Sequence, residues 1–334
     1  MKKILIDDDL TDLAKEYKSL LDVNSDNPKP LERLEALKVN LENLDKKYEE
    51  YIDEVIDCYK DHNLIELLPS KFDKLYEDHF SRFHEDDNFS LSRKFTKIKD
   101  EEERKCTQPF YMHIVNALGY DRVRSNIFPQ FMLRLGIRSC VYCNSTFAVA
   151  TSKSNSSYRL TYSLDHYMPK NKYPFLAVSF FNLYPCCQPC NSTKSTKSPY
   201  WRLYTENPNE ELNPFRFRLK SGTLMKYEIS WDNDDLEIEF TNKDGTHDVG
   251  AAKKYDDYFH TESLYNNFKP EVEEVLWKRK IYNSTMLDIL RTTLPKEINA
   301  DDYMRLIIGN YTSEKDILRR PLAKLMQDLA KEIF

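Results

Sequence analysis

Glycine is scarce in this sequence, with six among 334 residues. Neither a Walker-type run nor G-x-G-x-x-G occurs, so the glycine-rich loops that cradle nucleotide phosphates are excluded. Any nucleotide hydrolysis tied to this chain must come from another protein. Long apolar runs are also missing, and none approaches the roughly 18 residues of a membrane span. The opening MKKILIDDDL sets three aspartates directly after three apolar residues, which is no signal-peptide core. A cytoplasmic chain with no membrane partner is expected. There is no internal repeat and no long low-complexity segment. Cysteine is sparse and odd in number, seven in all, yet four of the seven fall in two close pairs. In a reducing compartment such pairs read as metal ligands before disulfides.

What is present is a soluble, globular balance of 40% hydrophobic and 31% charged residues. The chain is long enough for two or three packed units. The net charge of −6 conceals an asymmetry. Residues 131–205 carry nine Lys/Arg and one Asp, a net of +8, which leaves 40 basic against 54 acidic residues, a net of −14, elsewhere. A basic island in an acidic chain is the footprint of a polyanion site. Residues 1–125 read as helical. Leu34, Leu37, Leu41, Leu44, Tyr48, Tyr51, Val55 and Cys58 alternate steps of three and four, an a/d seam preceded by Pro28 and Pro30. The seam predicts one long helix, packed within its own domain or docked on a partner. Residues 126–220 turn to Ser, Thr, Asn, Tyr, Pro and Cys, with FAVAT and YRLTYS as a hairpin across SKSNSS. Residues 221–334 open with Tyr227, Ile229 and Trp231, then Leu236, Ile238 and Phe240, a second hairpin across DNDD. Helices follow to the terminal PLAKLMQDLAKEIF, a further candidate docking face.

The chemistry gathers in the middle third. Cys140-Val-Tyr-Cys143 and Cys187-Gln-Pro-Cys190 offer two thiolates each, enough to close a tetrahedral Zn²⁺ shell with no position left for catalysis. Between the pairs, Asp165 and His166 are expected to end the first hairpin's second strand; Asn182 follows in a loop and Asn191 directly follows the last cysteine. Asp165 and the Asn191 side-chain oxygen suit a hard cation, Mg²⁺ or Mn²⁺. His166 titrates in the right range to take a proton from water. Asn182 is placed to orient it. Lys170, Lys172, Lys194 and Lys197 are candidates for backbone phosphates. Asp78-His79 shows how readily an Asp-His pair arises without context, and the six other histidines read as ordinary surface or core residues, as do Cys58, Cys106 and Cys186.

Cys140 to Lys194 resembles the HNH endonuclease motif. Its parts here are Asp165, His166 and Pro169, then Asn182-Leu183, then Cys187 to Asn191 and Lys194. The resemblance implies an α+β fold with a ββα-metal core and a four-cysteine zinc site, flanked by a largely helical N-terminal region and a C-terminal hairpin-plus-helices region. It implies His166 as general base, Asp165 and Asn191 as ligands of the catalytic metal, and Asn182 as the residue that orients the base. The stretches DHYMPKNKYPFLA and FHTESLYNNFKPEVEEV are similar to HNH subunits of anti-phage defence systems such as Septu and certain retrons. That setting implies a nuclease acting on nucleic acid, DNA first, beside an ATPase partner. Two other readings remain: a non-catalytic zinc-knuckle adaptor, and an RNA-cleaving toxin on the same scaffold.

Overall fold

The computed structural model describes residues 1–22, 28–97, 106–154, 157–196, 201–293 and 299–333. It is a mixed structure of helices and five two-stranded sheets among the described residues. Asp7 begins the first helix, Asp8–Asp22, its carboxylate accepting the Leu10 amide at 2.9 Å, as a helix-capping residue does. The preceding Ile4–Leu5 pairs in parallel with Tyr204–Thr205, tying the start of the chain to the segment beyond the second cysteine pair.

The heptad seam does not form one helix. It is split into Pro30–Asn40 and Lys46–Asp61, and the first of these packs on the second. Asn43 adopts a left-handed φ of 54°, a conformation that asparagine tolerates. Asp45 stands at the start of the second helix, where aspartate is favoured. Between the helices the chain turns aside, and the Glu42 amide donates to the Thr96 carbonyl at 3.0 Å. The apolar periodicity therefore reports burial and not supercoiling. Leu34, Leu37, Leu41, Tyr48, Tyr51, Val55 and Cys58 are all buried, so the seam offers no free docking face. Tyr48 and Tyr51 stack on Phe89 with ring centroids 4.6 Å and 5.3 Å away. Phe83, Phe95 and Phe110 complete this aromatic centre with edge-to-face contacts, the geometry that ring quadrupoles favour.

The first expected hairpin is present as Ala150–Ser154 against Ser157–Leu160. Asp165 and His166 do not belong to it. They end a separate strand, Ser163–His166, paired antiparallel with Leu183–Cys186 and followed by the helix Gln188–Lys194. The second expected hairpin is not there either. Thr223–Ser230 is a helix between Gly222 at φ 85° and Trp231 at φ 56°. Thr223 and Tyr227, four residues apart on one helical face, are its buried side, while Ile229 and Trp231 are 80% and 59% exposed. The true partner of Ile238–Asn242 is Phe215–Leu219. Its alternation of buried Phe215, Phe217 and Leu219 with Arg216 and Arg218 is a clean period of two.

The last helix, Ala323–Ile333, lies against that strand. The buried Asp328 carboxylate accepts the Phe217 amide at 2.9 Å and pairs with Lys324 at 2.6 Å. The helix's apolar face is consumed internally and is not open for docking. No helix of the described residues is long and apolar enough to cross a membrane.

Candidate metal centre and adjoining cavity

Two tight turns build the sulfur cluster. The Asn144 amide donates to the Cys140 carbonyl at 2.9 Å and the Asn191 amide to the Cys187 carbonyl at 3.0 Å. Each C-x-x-C thus presents its two thiols from one bend. The Val141 amide donates to the Pro185 carbonyl at 3.1 Å and holds the first turn against the strand that leads into the second. Asn144 is buried and satisfied: its amide nitrogen donates to the Ser139 hydroxyl and the Ile317 carbonyl, both at 2.8 Å, and its oxygen accepts the Lys324 amide at 3.0 Å. Tyrosines from the C-terminal third complete the frame, Tyr255 donating to the Tyr142 carbonyl and Tyr265 to the Cys143 carbonyl, each at 2.6 Å.

The four sulfurs lie within 4.8 Å of one another and all four cysteines are buried. The Cys143 and Cys187 sulfurs are 3.8 Å apart, the separation that a tetrahedron with Zn–S of about 2.3 Å requires. The Ser145 hydroxyl donates to the Cys143 sulfur at 3.1 Å, a bond that favours the thiolate a metal needs. Four soft donors in a closed buried shell fit a structural zinc ion. Cys186 is buried beside the cluster and turns to the Ser163 carbonyl, outside the ligand set, as expected of a core residue. The side chain of Cys106 lies outside the described residues.

The strand Ser163–His166 carries the titratable pair. Asp165 is buried, and its carboxylate accepts the Tyr142 hydroxyl at 2.7 Å. Tyr142 lies inside the first C-x-x-C, so the sulfur cluster and the carboxylate share one rigid turn. Burial pushes the Asp165 carboxyl up, and the Lys194 ammonium opposes that rise, as desolvation and an opposite charge should. His166 is buried too. Its Nε2 sits 2.9 Å from the Ala177 carbonyl. A carbonyl can only accept, so Nε2 carries the proton and Nδ1 is left as the basic nitrogen. Burial, with Lys170 next, pulls the pKa of His166 down to about 3, below the near-neutral range expected from sequence, so the ring is neutral at neutral pH and its Nδ1 is unprotonated but weakly basic.

Two expected roles change. Asn182 does not bond the imidazole. Its oxygen accepts the Met168 amide at 2.7 Å and its nitrogen donates to the Leu176 carbonyl at 2.9 Å, so it clasps the ends of the loop that delivers Ala177 to His166. It positions the ring at one remove. Lys194 is fully buried, 3.2 Å from Asp165, and donates to the His166 carbonyl at 2.6 Å. A buried ammonium committed to these partners is not a phosphate contact. Lys197 lies outside the described residues. Lys170 is half-buried, with its amine 4.8 Å from the Tyr120 ring, and Lys172 is exposed beside Tyr173.

Asp165, His166, Lys170 and Asn191 line one cavity of about 440 Å³. The strand end supplies the first two, the following loop the third and the helix Gln188–Lys194 the last. Asp165 and Asn191, two oxygen-bearing side chains, both line this space. The wall also contains Tyr120 and Arg124, which sequence reasoning missed. Arg124 lies on a π-helical turn, Val123–Ile127, far upstream of His166 in the chain, and no local pattern pointed to it. Tyr142 was in view inside its C-x-x-C, but its bond to Asp165 is a long-range contact.

No protein-family model matches the chain, and no solved structure matches it. The chain is similar to the Septu protein PtuB of Bacillus thuringiensis, with 28% identity over 127 residues, which is 37% of this chain and 44% of that protein. The likeness thus spans less than half of the relative's length.

Proposed function

We propose that this chain is a metal-dependent phosphodiester hydrolase of the HNH type, acting on nucleic acid in a Septu-type anti-phage defence system. The observation that carries the reading is the convergence of Asp165, His166 and Asn191 on one cavity, with Asp165 bonded to a turn of the four-cysteine cluster. The order strand, strand, helix over Ser163–His166, Leu183–Cys186 and Gln188–Lys194 agrees with a ββα-metal unit. The likeness to PtuB supports the defence setting.

On this reading Asp165 and Asn191 hold a Mg²⁺ or Mn²⁺ ion, which supplies charge stabilisation for the phosphate and the departing oxygen. His166 takes the proton of the attacking water at Nδ1, while the Ala177 carbonyl fixes its ring. Tyr142 and Lys194 hold the Asp165 carboxylate in place. Lys170 and Arg124, in the cavity wall, receive the phosphate backbone. The residue bands 1–125, 126–220 and 221–334 serve as helical brace, nuclease domain and C-terminal brace. DNA is the first substrate and an ATPase the partner, as the HNH defence resemblance implies. The Lys194–Asp165 ion pair favours one second reading: it neutralises the carboxylate as a non-catalytic zinc-knuckle adaptor would.

One experiment separates the two. Plasmid DNA and RNA are incubated with the purified full chain, alone and with its co-encoded neighbours, over a titration of Mg²⁺ and Mn²⁺. Cleavage that requires the divalent ion, with Asn191→Ala shifting the requirement to higher concentration at unchanged zinc content, supports the hydrolase. Binding of nucleic acid without cleavage under every condition supports the adaptor.

A further inference from the structure

A second group of metal-ligating side chains lies in the N-terminal third. Cys58 and His62 stand four residues apart on the helix Lys46–Asp61 and its C-cap, so they share one face. His79 comes from the turn Tyr76–Phe80, which is π-helical, an irregularity frequent at functional positions. One ligand atom from each of Cys58, His62 and His79 lies within 4.8 Å of the others. The two imidazole rings meet edge to face with centroids 4.6 Å apart.

An independent contact points the same way. His79 Nδ1 is 2.6 Å from the Glu54 carboxylate, one turn before Cys58, and the other Glu54 oxygen accepts Arg82 Nη2 at 2.6 Å. The carboxylate fixes a proton on Nδ1 and leaves Nε2 as the ring's lone-pair nitrogen. Carboxylate–histidine pairs of this kind orient the histidine ligands of metals and raise their basicity. We propose that Cys58, His62 and His79 bind a zinc-class divalent ion, distinct from the four-cysteine cluster, with Glu54 as the positioning residue and one coordination place open to solvent beside the exposed His62.

The donor set selects the ion. One thiolate and two imidazoles suit a borderline transition metal, and Mg²⁺ or Ca²⁺, which need oxygen, are poor fits. Asp57 and Asp61 on the same helix add negative charge around the ligands. The three ligand atoms already lie within 4.8 Å of one another, and the exposed His62 side chain is free of the packing that fixes the buried Cys58. The ion ties the Lys46–Asp61 helix to a segment that backs the His166 loop: Phe80 stacks on Phe175 at 3.8 Å and Tyr76 packs on Tyr173 at 5.1 Å.

The test is zinc stoichiometry of the tag-free full chain, equilibrated with excess Zn²⁺, passed through gel filtration and measured by elemental analysis. Two ions per chain are expected in the wild type and one in His62→Gln. His79→Gln should also lose one ion, and Glu54→Gln should weaken the second site by about 10–100-fold. His62→Gln is the deciding variant, because an exposed side chain can be changed without disturbing the core. One ion in the wild type at saturating Zn²⁺, or two retained in a folded His62→Gln protein, overturns the site.

Discussion

Replacing Tyr142 with Phe removes one oxygen and nothing else. The ring stays stacked on Phe259, with centroids 4.7 Å apart, and the backbone carbonyl keeps its bond from Tyr255. What is lost is the 2.7 Å hydrogen bond to the buried Asp165 carboxylate. A hydrogen bond to a charged group contributes about 1.5–3 kcal/mol. Lys194 at 3.2 Å remains to share the charge, so the lower half of that range is expected. Urea unfolding at fixed zinc should show a destabilisation of about 1.5–2 kcal/mol with an unchanged slope. A double-mutant cycle with Asp165→Asn isolates the interaction. In the Asp165→Asn background the acceptor is neutral, and the cost of Tyr142→Phe should fall to about 1 kcal/mol or less, the value of a neutral hydrogen bond. Zinc content should not change. An equal cost of Tyr142→Phe with and without the Asp165 charge, or release of the metal, would show that the Tyr142–Asp165 bond does not act in this way.

Lys194→Met should destabilise the protein by about 3–5 kcal/mol, because it strands a buried carboxylate; a stable variant with weakened nucleic-acid binding would restore Lys194 as a phosphate contact. Cys187→Ser should cost both zinc and folding, since a structural zinc ion supplies on the order of 10 kcal/mol, and soluble, zinc-free protein with native spectra would contradict a structural role. Burial holds the pKa of His113 below its ordinary 6.5. Its neutral ring stabilises the fold fully above that value, and the contribution is lost as pH falls, because the unfolded chain takes up the proton first. Unfolding free energy should therefore decline below about pH 6.5, and His113→Gln should flatten the decline; equal slopes in both proteins would refute the assignment. Changing Lys170 and Lys172 together to Gln should reduce the slope of log affinity against log salt by about one to two units, and an unchanged slope would move the nucleic acid elsewhere.

The cysteine turns were readable from sequence because C-x-x-C geometry is local. Asp165, His166 and Asn191 were also readable as a set, and the structure brings them to one cavity. The contacts that define how each acts were not. The bond from His166 to Ala177, the clasp by Asn182 and the bond from Tyr142 to Asp165 all join residues distant in the chain or depend on loop shape. Lys194 was misread for a related reason. Its place in the chain is local, but its burial is set in part by the tyrosine-rich C-terminal third, where Tyr258 donates to the Lys194 carbonyl at 3.2 Å. The heptad seam failed as one helix because hydrophobic spacing survives across a short break, and Asn43 and Asp45 carried the stop and restart signals. The missed strand Phe215–Leu219 was visible as strict alternation, whereas Tyr227, Ile229 and Trp231 alternate across a helix and its cap, and of the three only Tyr227 is buried.

On the proposed function, His166 is the general base of a phosphodiester hydrolysis. It is tested most directly by the single-turnover cleavage rate of wild type against His166→Ala, on the substrate and with the partners that give the highest wild-type rate, in preparations matched for zinc content. Loss of one general base removes about 10²–10⁴ in rate, and that loss is expected here with binding retained. Equal rates in the two proteins, or no cleavage by the wild type under any condition, would contradict it.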